Sequence, residues 1–194
     1  MRVHGDKVIR RREGVAGLRN YPEARDMLKD DFCNLCGYCG KDCVLMHERC
    51  HIDHFVPQSI DPDRKNDYDN LVLACVKCNL SKSNKWPTKD KKITHDDRIG
   101  FVDPASDEFD IHMERDEQGY IRGITPLGQN MCENLNFHIR RTDLYWKIRQ
   151  MNQIQEELER LFYEDKLQEE EKDYYIKVNI ILKEYIQSAF EAGE

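Results

Sequence analysis

Nothing in this 194-residue chain approaches the roughly 18 consecutive apolar residues that a bilayer span requires. No hydrophobic segment backs the opening Met-Arg-Val-His-Gly-Asp-Lys, so a secretory leader is not expected and the cytoplasm is the expected compartment. No Gly-x-x-x-x-Gly-Lys-Ser/Thr loop is present, which excludes the usual ATP-binding motif. Internal repeats and low-complexity linkers are absent as well. Between Gly128 and Gly193 there is no glycine or proline, so that stretch lacks the residues that interrupt helices.

An excess of positive charge is also missing. Lys and Arg number 30 against 37 Asp and Glu, a net −7, which looks wrong for a nucleic-acid binder. The distribution changes that view. Residues 151–194 carry five Lys and Arg against twelve Asp and Glu, leaving the first 150 neutral overall. Within those, residues 77–92 hold Lys77, Lys82, Lys85, Lys89, Lys91 and Lys92 against Asp90 alone. A local basic stripe of this kind can contact phosphate, although a plain solvated loop would read the same way.

Cysteine is what the chain has in quantity, with eight. Without an export signal, a disulfide scaffold is not the first reading. Four of them form two Cys-x-x-Cys pairs, Cys36/Cys39 and Cys75/Cys78, separated by 35 residues. Each such turn presents two thiolates to one ion, and two turns complete a tetrahedral structural zinc site. Cys33/Cys36 offers an alternative register, but the Cys-Gly-Tyr-Cys-Gly form favours Cys36/Cys39. Cys33, Cys43 and Cys50 are then spare, either buried small side chains or, with His47, part of a second metal site. Cys132 is expected in the core.

The elements read as α+β. An N-terminal arm (residues 1–32) carries Arg10-Arg11-Arg12, which either touches a nucleic-acid backbone or hangs loose, and then a short helix from Pro22 to Lys29. Residues 33–95 are the Cys/His-rich unit: a strand from His51 to Phe55, a polar loop, a buried strand Leu71-Val72-Leu73, and a helix from Val76 to about Asn84. Residues 96–140 hold a β-hairpin, with Phe109, Ile111 and Met113 alternating before a turn at Asp116–Gly119. In residues 141–194, Thr142 caps a first amphipathic helix. A charged stretch and a second apolar stripe follow, giving a pair of long acidic helices that fold back as a hairpin, pack on the core or meet a partner.

Between the cysteine pairs lies His51-Ile-Asp53-His54, and the second pair runs into Asn79. Phosphodiester hydrolysis needs an activated water and neutralisation of charge on the phosphate and leaving oxygen. A neutral imidazole can take the water proton near pH 7. A carboxylate and an amide oxygen can hold a hard divalent cation. His54, Asp53 and Asn79 supply these types, with Asp53 and His54 on opposite sides of their strand.

The run His51-Ile-Asp53-His54-Phe-Val-Pro57, then Asn70-Leu-Val-Leu-Ala-Cys75-Val-Lys-Cys78-Asn79, then Lys82, resembles the HNH endonucleases of the ββα-metal fold, in their zinc-containing branch. The resemblance covers under a third of the chain. It implies His54 as general base, Asp53 and Asn79 as ligands of a catalytic Mg²⁺ or Mn²⁺, and Asn70 as the residue that fixes the loop and orients the base. Asn79 stands where many members have a histidine, which weakens any preference for zinc there. Lys82 would contact phosphate, alongside Lys77 and Lys85, and His51 would lie behind the ligands. DNA cleavage leaving a 5′-phosphate and a 3′-hydroxyl is the implied activity. Relatives of similar build occur beside ATPases in bacterial restriction and anti-phage systems, so a protein partner such as an ATPase subunit could dock on the C-terminal helices. The alternative is a zinc-stabilised binding or scaffolding module without chemistry.

Overall fold

The computed structural model describes residues 1–193. The chain divides after Arg140 into two compact units.

In the first unit, a 3₁₀ turn at Tyr21–Ala24, with Pro22 at its start, runs into helix α1 (Arg25–Asp31). Leu28 and Phe32 are fully buried, and α1 packs against the second strand of the core. Cys33 and Asn34 both have positive φ, 51° and 58°, which turns the chain into the Cys36–Gly40 knuckle. Gly40 has φ +67°, and a Cβ there would lie 2.6 Å from the Val3 carbonyl, so no larger residue fits.

Strand β1 (His51–His54) pairs antiparallel with β2 (Leu71–Ala74), His51 opposite Ala74 and His54 opposite Leu71. All four residues of β2 are buried, which explains its unbroken apolar run. The connecting loop contains 3₁₀ turns at Pro62–Asn66 and Tyr68–Asn70. Helix α2 (Val76–Lys82) follows β2 directly, capped by the Cys75 sulfur, which accepts the Cys78 N–H at 3.4 Å. Beyond it, Trp86 packs on Phe55 and stacks on Phe101.

The expected hairpin is present, but shorter at its start. Phe109–His112 is a single helical turn, α3, and only β3 (Met113–Arg115) and β4 (Ile121–Gly123) pair. Helix α4 (Pro126–Asn134) then begins with the Thr125 hydroxyl accepting the Gly128 N–H, an element the sequence reading leaves out. Its Thr-Pro opening is the signal that marks it.

The N-terminal arm does not hang loose: its arginines are paired to acidic residues of the unit, although Arg10 and Arg12 stay exposed and only Arg11 is largely covered. Arg11 pairs with Asp103 at 2.8 Å and donates to the Leu71 carbonyl, Arg12 pairs with Asp31 at 2.8 Å, and Arg10 pairs with Asp107 at 3.0 Å. Buried Arg115 holds the arm's start, donating to the carbonyls of Val3 and Cys39.

The second unit is two long helices, α5 (Thr142–Tyr163) and α6 (Glu169–Glu191). Lys147 lies over the Tyr185 ring, Gln155 meets Asn179, and Glu159 meets Tyr175, the descending order of an antiparallel hairpin. Thr142 is not the cap but the first helical residue, after Arg141. Helix α6 starts inside the charged stretch, where Gln168 and Glu171 form a capping box. Among the described residues no helix is long and apolar enough to cross a membrane.

Candidate nuclease site

The sulfurs of Cys36, Cys39, Cys75 and Cys78 all lie within 4.8 Å of one another, and all four residues are buried. Cys39 and Cys75 are 3.8 Å apart at sulfur. A tetrahedral ion with metal–sulfur bonds near 2.3 Å separates its ligands by about 3.8 Å, the Cys39–Cys75 spacing, so the cluster could hold zinc. Burial pushes the Cys36 and Cys78 thiols well above their ordinary range. Cys39, despite its burial, is held low by hydrogen bonds from Cys36, Cys75 and Cys78. A divalent ion would supply the charge that four thiolates need. The Arg140 guanidinium, 3.2 Å from the Cys78 sulfur, adds to it.

The other cysteines arrange differently from expectation. Cys33 stands outside the cluster, which settles the register in favour of Cys36/Cys39. Cys43 and Cys50 are joined in a disulfide, their Cα atoms 5.9 Å apart, so they are not spare ligands for a site with His47. Among the described residues the four cysteines are the one cluster of His, Cys, Asp and Glu built to hold a metal. Cys132 is half-buried rather than in the core.

Beside the cluster is an open cleft of about 400 Å³, lined by Asp53, His54 and Asn79 together with Tyr21, Gln58 and Ser83. Asp53 and His54 alternate along β1, yet both border this cleft. The Nε2 of His54 lies 2.8 Å from the Lys65 carbonyl. A carbonyl only accepts, so Nε2 carries the proton and Nδ1 keeps the lone pair. The Gln58 amide nitrogen, 3.2 Å away, donates to Nδ1. The Tyr21 ring meets the imidazole edge-on, with centroids 4.9 Å apart. Gln58 and Tyr21 are contributors that the sequence reading misses; Gln58, four residues after His54, is within its reach, whereas Tyr21 arrives from a distant turn.

Asn70 is fully buried. Its side chain accepts the Val56 N–H at 2.8 Å and donates to the Val56 and Arg64 carbonyls at 3.0 and 3.3 Å. It thereby ties the segment after His54 to the loop that carries Lys65. The Asn79 amide nitrogen lies 3.2 Å from His51 Nδ1. With the amide donating to that imidazole, its oxygen is left for another partner.

Asp53 is buried, and both its contacts fall on one oxygen. Oδ2 accepts the Tyr38 hydroxyl at 2.6 Å and pairs with the Lys82 ammonium at 3.1 Å. Burial pushes the Asp53 carboxyl up, opposed by Lys82 and Tyr38, and burial likewise pulls Lys82 down. Lys82 is fully buried and also donates to the His54 carbonyl at 2.8 Å. It is therefore not placed to meet phosphate, a correction to the sequence reading; the short apolar-flanked helix carries it inward. Lys77 is half-buried, and exposed Lys85 donates to the Asn134 carbonyl at 2.7 Å.

A two-stranded antiparallel sheet and a following helix, stapled by four cysteines beside a cleft with a carboxylate, a histidine and an asparagine, make a nuclease core of the ββα class. Residues 36–85 match the family model of the HNH endonucleases, and the chain carries an HNH endonuclease domain there. It is 38% identical over 72 residues to the CRISPR-associated endonuclease Cas9 of Actinomyces naeslundii, an alignment covering 35% of this chain and 6% of that protein. It is 28% identical over 133 residues to the Septu protein PtuA of Bacillus mycoides, covering 57% of this chain and 18% of that protein. The chain thus spans less than a fifth of the length of these curated relatives. No solved structure matches it.

Proposed function

We propose that the chain is a metal-dependent endonuclease that hydrolyses phosphodiester bonds of DNA, with His54 as general base. The observation that supports this reading is the meeting of Asp53, His54 and Asn79 on one cleft. His54 Nδ1 takes a proton from the attacking water, while Nε2–H stays on the Lys65 carbonyl and steadies the imidazolium as it forms. The Gln58 amide now donates to Nδ1, so it would have to yield that lone pair to the attacking water. Asn70 keeps the base and its carbonyl partner in register. Asp53 Oδ1 and the Asn79 amide oxygen would hold Mg²⁺ or Mn²⁺, which when bound neutralises charge on the phosphate and the leaving oxygen. Lys77 and Lys85 flank the cleft helix as contacts for the nucleic-acid backbone.

The test is incubation of the full chain with supercoiled DNA, linear DNA and RNA across a panel of divalent ions. The expected result is cleavage of DNA in Mg²⁺ or Mn²⁺, reduced by about 10²-fold or more in His54→Ala with an unchanged circular dichroism spectrum. Full activity in that variant would remove His54 from the chemistry. Turnover by the purified protein also excludes a purely scaffolding module.

The proposed setting is bacterial restriction or anti-phage defence, working with a protein partner such as an ATPase subunit. The names of the two relatives, a CRISPR-associated endonuclease and a Septu protein, support the defence setting. The proposed contact is the α5–α6 hairpin, where Phe162, Tyr163, Ile176 and Ile180 are exposed. Its acidic character makes protein, not DNA, the fitting partner. Co-expression that returns only free chain would count against this contact.

A further inference from the structure

We propose that Tyr38 and Lys82 are positioning residues for Asp53, and that through them the four-cysteine cluster sets the aim of the carboxylate in the cleft. The inference rests on the reading of Asp53 as a ligand of the catalytic ion.

The argument starts from which oxygen is used. A carboxylate has two oxygens, and a free aspartate turns about its last bond to offer either. Here Oδ2 receives the Tyr38 hydroxyl at 2.6 Å and the Lys82 ammonium at 3.1 Å. Both donors are fully buried, so neither gives up the contact to water. Oδ1 makes no such contact, and Asp53 lines the cleft. Two donors on one oxygen fix the carboxylate plane and leave the other oxygen for a cation. Ligands held in this way bind their ion more tightly, because the ordering is done before the ion arrives.

The second step is where the donors come from. Tyr38 is one of the two residues between Cys36 and Cys39, so the knuckle that binds through its sulfurs also delivers the hydroxyl. Lys82 lies four residues after Cys78 on α2, one helical turn along the same face. Both donors thus belong to segments that the sulfur cluster joins, and they converge on Oδ2. Lys82 also donates to the His54 carbonyl at 2.8 Å, which couples the position of the base to that of the ligand. A tyrosine buried for packing alone would not need its hydroxyl on the one carboxylate of the cleft.

The test uses the full chain with its cysteine site loaded with zinc. Mn²⁺ affinity is measured by isothermal titration calorimetry for the wild type, Tyr38→Phe, Lys82→Met and Asp53→Ala, with zinc content measured on each. Tyr38→Phe keeps the ring and removes only the hydroxyl. The expected result is Mn²⁺ binding weakened about tenfold in Tyr38→Phe, with zinc content unchanged and cleavage restored by raising Mn²⁺. A merely structural role would not be rescued by added ion. Lys82→Met should weaken binding in the same direction. Mn²⁺ affinity within twofold of wild type in Tyr38→Phe, alongside lost binding in Asp53→Ala, overturns the inference and leaves the ligand assignment intact. Wild-type Mn²⁺ binding in Asp53→Ala overturns both.

Discussion

The four-cysteine cluster and the Asp53–His54–Asn79 cleft are neighbours built on opposite principles. The cluster is dry: its four residues are buried, and their sulfurs all lie within 4.8 Å of one another. The cleft is open and polar, and each of its side chains is held by one or two hydrogen bonds or ion pairs: His54 by Lys65 and Gln58, Asn79 by His51, Asp53 by Tyr38 and Lys82. The difference teaches how labour is divided in so small a unit. On the proposed reading, one site would supply stability without chemistry and can be closed. The other would have to admit substrate and water, so much of its order would come from residues outside the cleft, Tyr38 and Lys82 among them.

That contrast can be broken first at the cluster. Removing zinc with a chelator, or replacing Cys78 with Ser, should cost on the order of 10 kcal/mol of folding free energy. Residues 1–140 should then lose their cooperative thermal transition. His54→Ala, by comparison, should leave that transition where it is. If both changes left the melting profile alone, the cluster would not be the staple of the unit.

A smaller effect lies on the cluster side, at His4. Its ring is 1% exposed, its Nε2 donates to the Gly37 carbonyl at 2.7 Å, and burial pushes its pKa from 6.5 down to about 4. Above pH 6.5 both folded and unfolded chains hold it neutral, and it adds no pH dependence. Between 6.5 and about 4 the unfolded chain takes a proton that the folded one refuses, so stability falls as pH falls, by about 3 kcal/mol in total. Urea titrations across this window should show a shallower loss in His4→Gln. An identical slope would mean that His4 is not what titrates.

The smallest effect lies on the cleft side. Asn70→Ala leaves the buried Val56 N–H without its partner and should cost about 2 kcal/mol. Because the same side chain braces the Lys65 loop, cleavage should fall by more than that loss of stability explains. Equal proportional losses would reduce Asn70 to a packing residue.

Much of this was legible in the residues, for reasons that differ by site. Cysteine spacing is read directly because a metal imposes one geometry on its ligands. Strands β1 and β2 and helix α2 follow from their apolar runs and their terminators. The direction of Lys82 was not legible: a lysine in a basic stripe reads as exposed, and only packing against Phe101 and Asp53 shows that it turns inward. Nor were the partners of Arg10, Arg11 and Arg12 legible, since the acidic residues they pair with lie up to 97 residues away. Cys43 and Cys50 are seven apart, a spacing that suits a short disulfide loop as well as spare thiols, so their pairing was not legible. Tyr38 reads as ordinary knuckle filler until its hydroxyl is seen on Asp53.

Helix α2 has only seven residues; its first free N–H, of Val76, donates to Glu48, and the N–H of Cys78 is met by the Cys75 sulfur. A helix that short does not form alone in water, because its nucleation cost exceeds what so few backbone bonds return. Capture of an ion by Cys75 and Cys78 would fix the first turn of the helix, from its cap to its third residue. The helix that brings Asn79 to the cleft is thus expected to appear only when the ion does. Newly made chains in a zinc-starved cell would then be inert by default, armed by a nutrient before they ever meet a target.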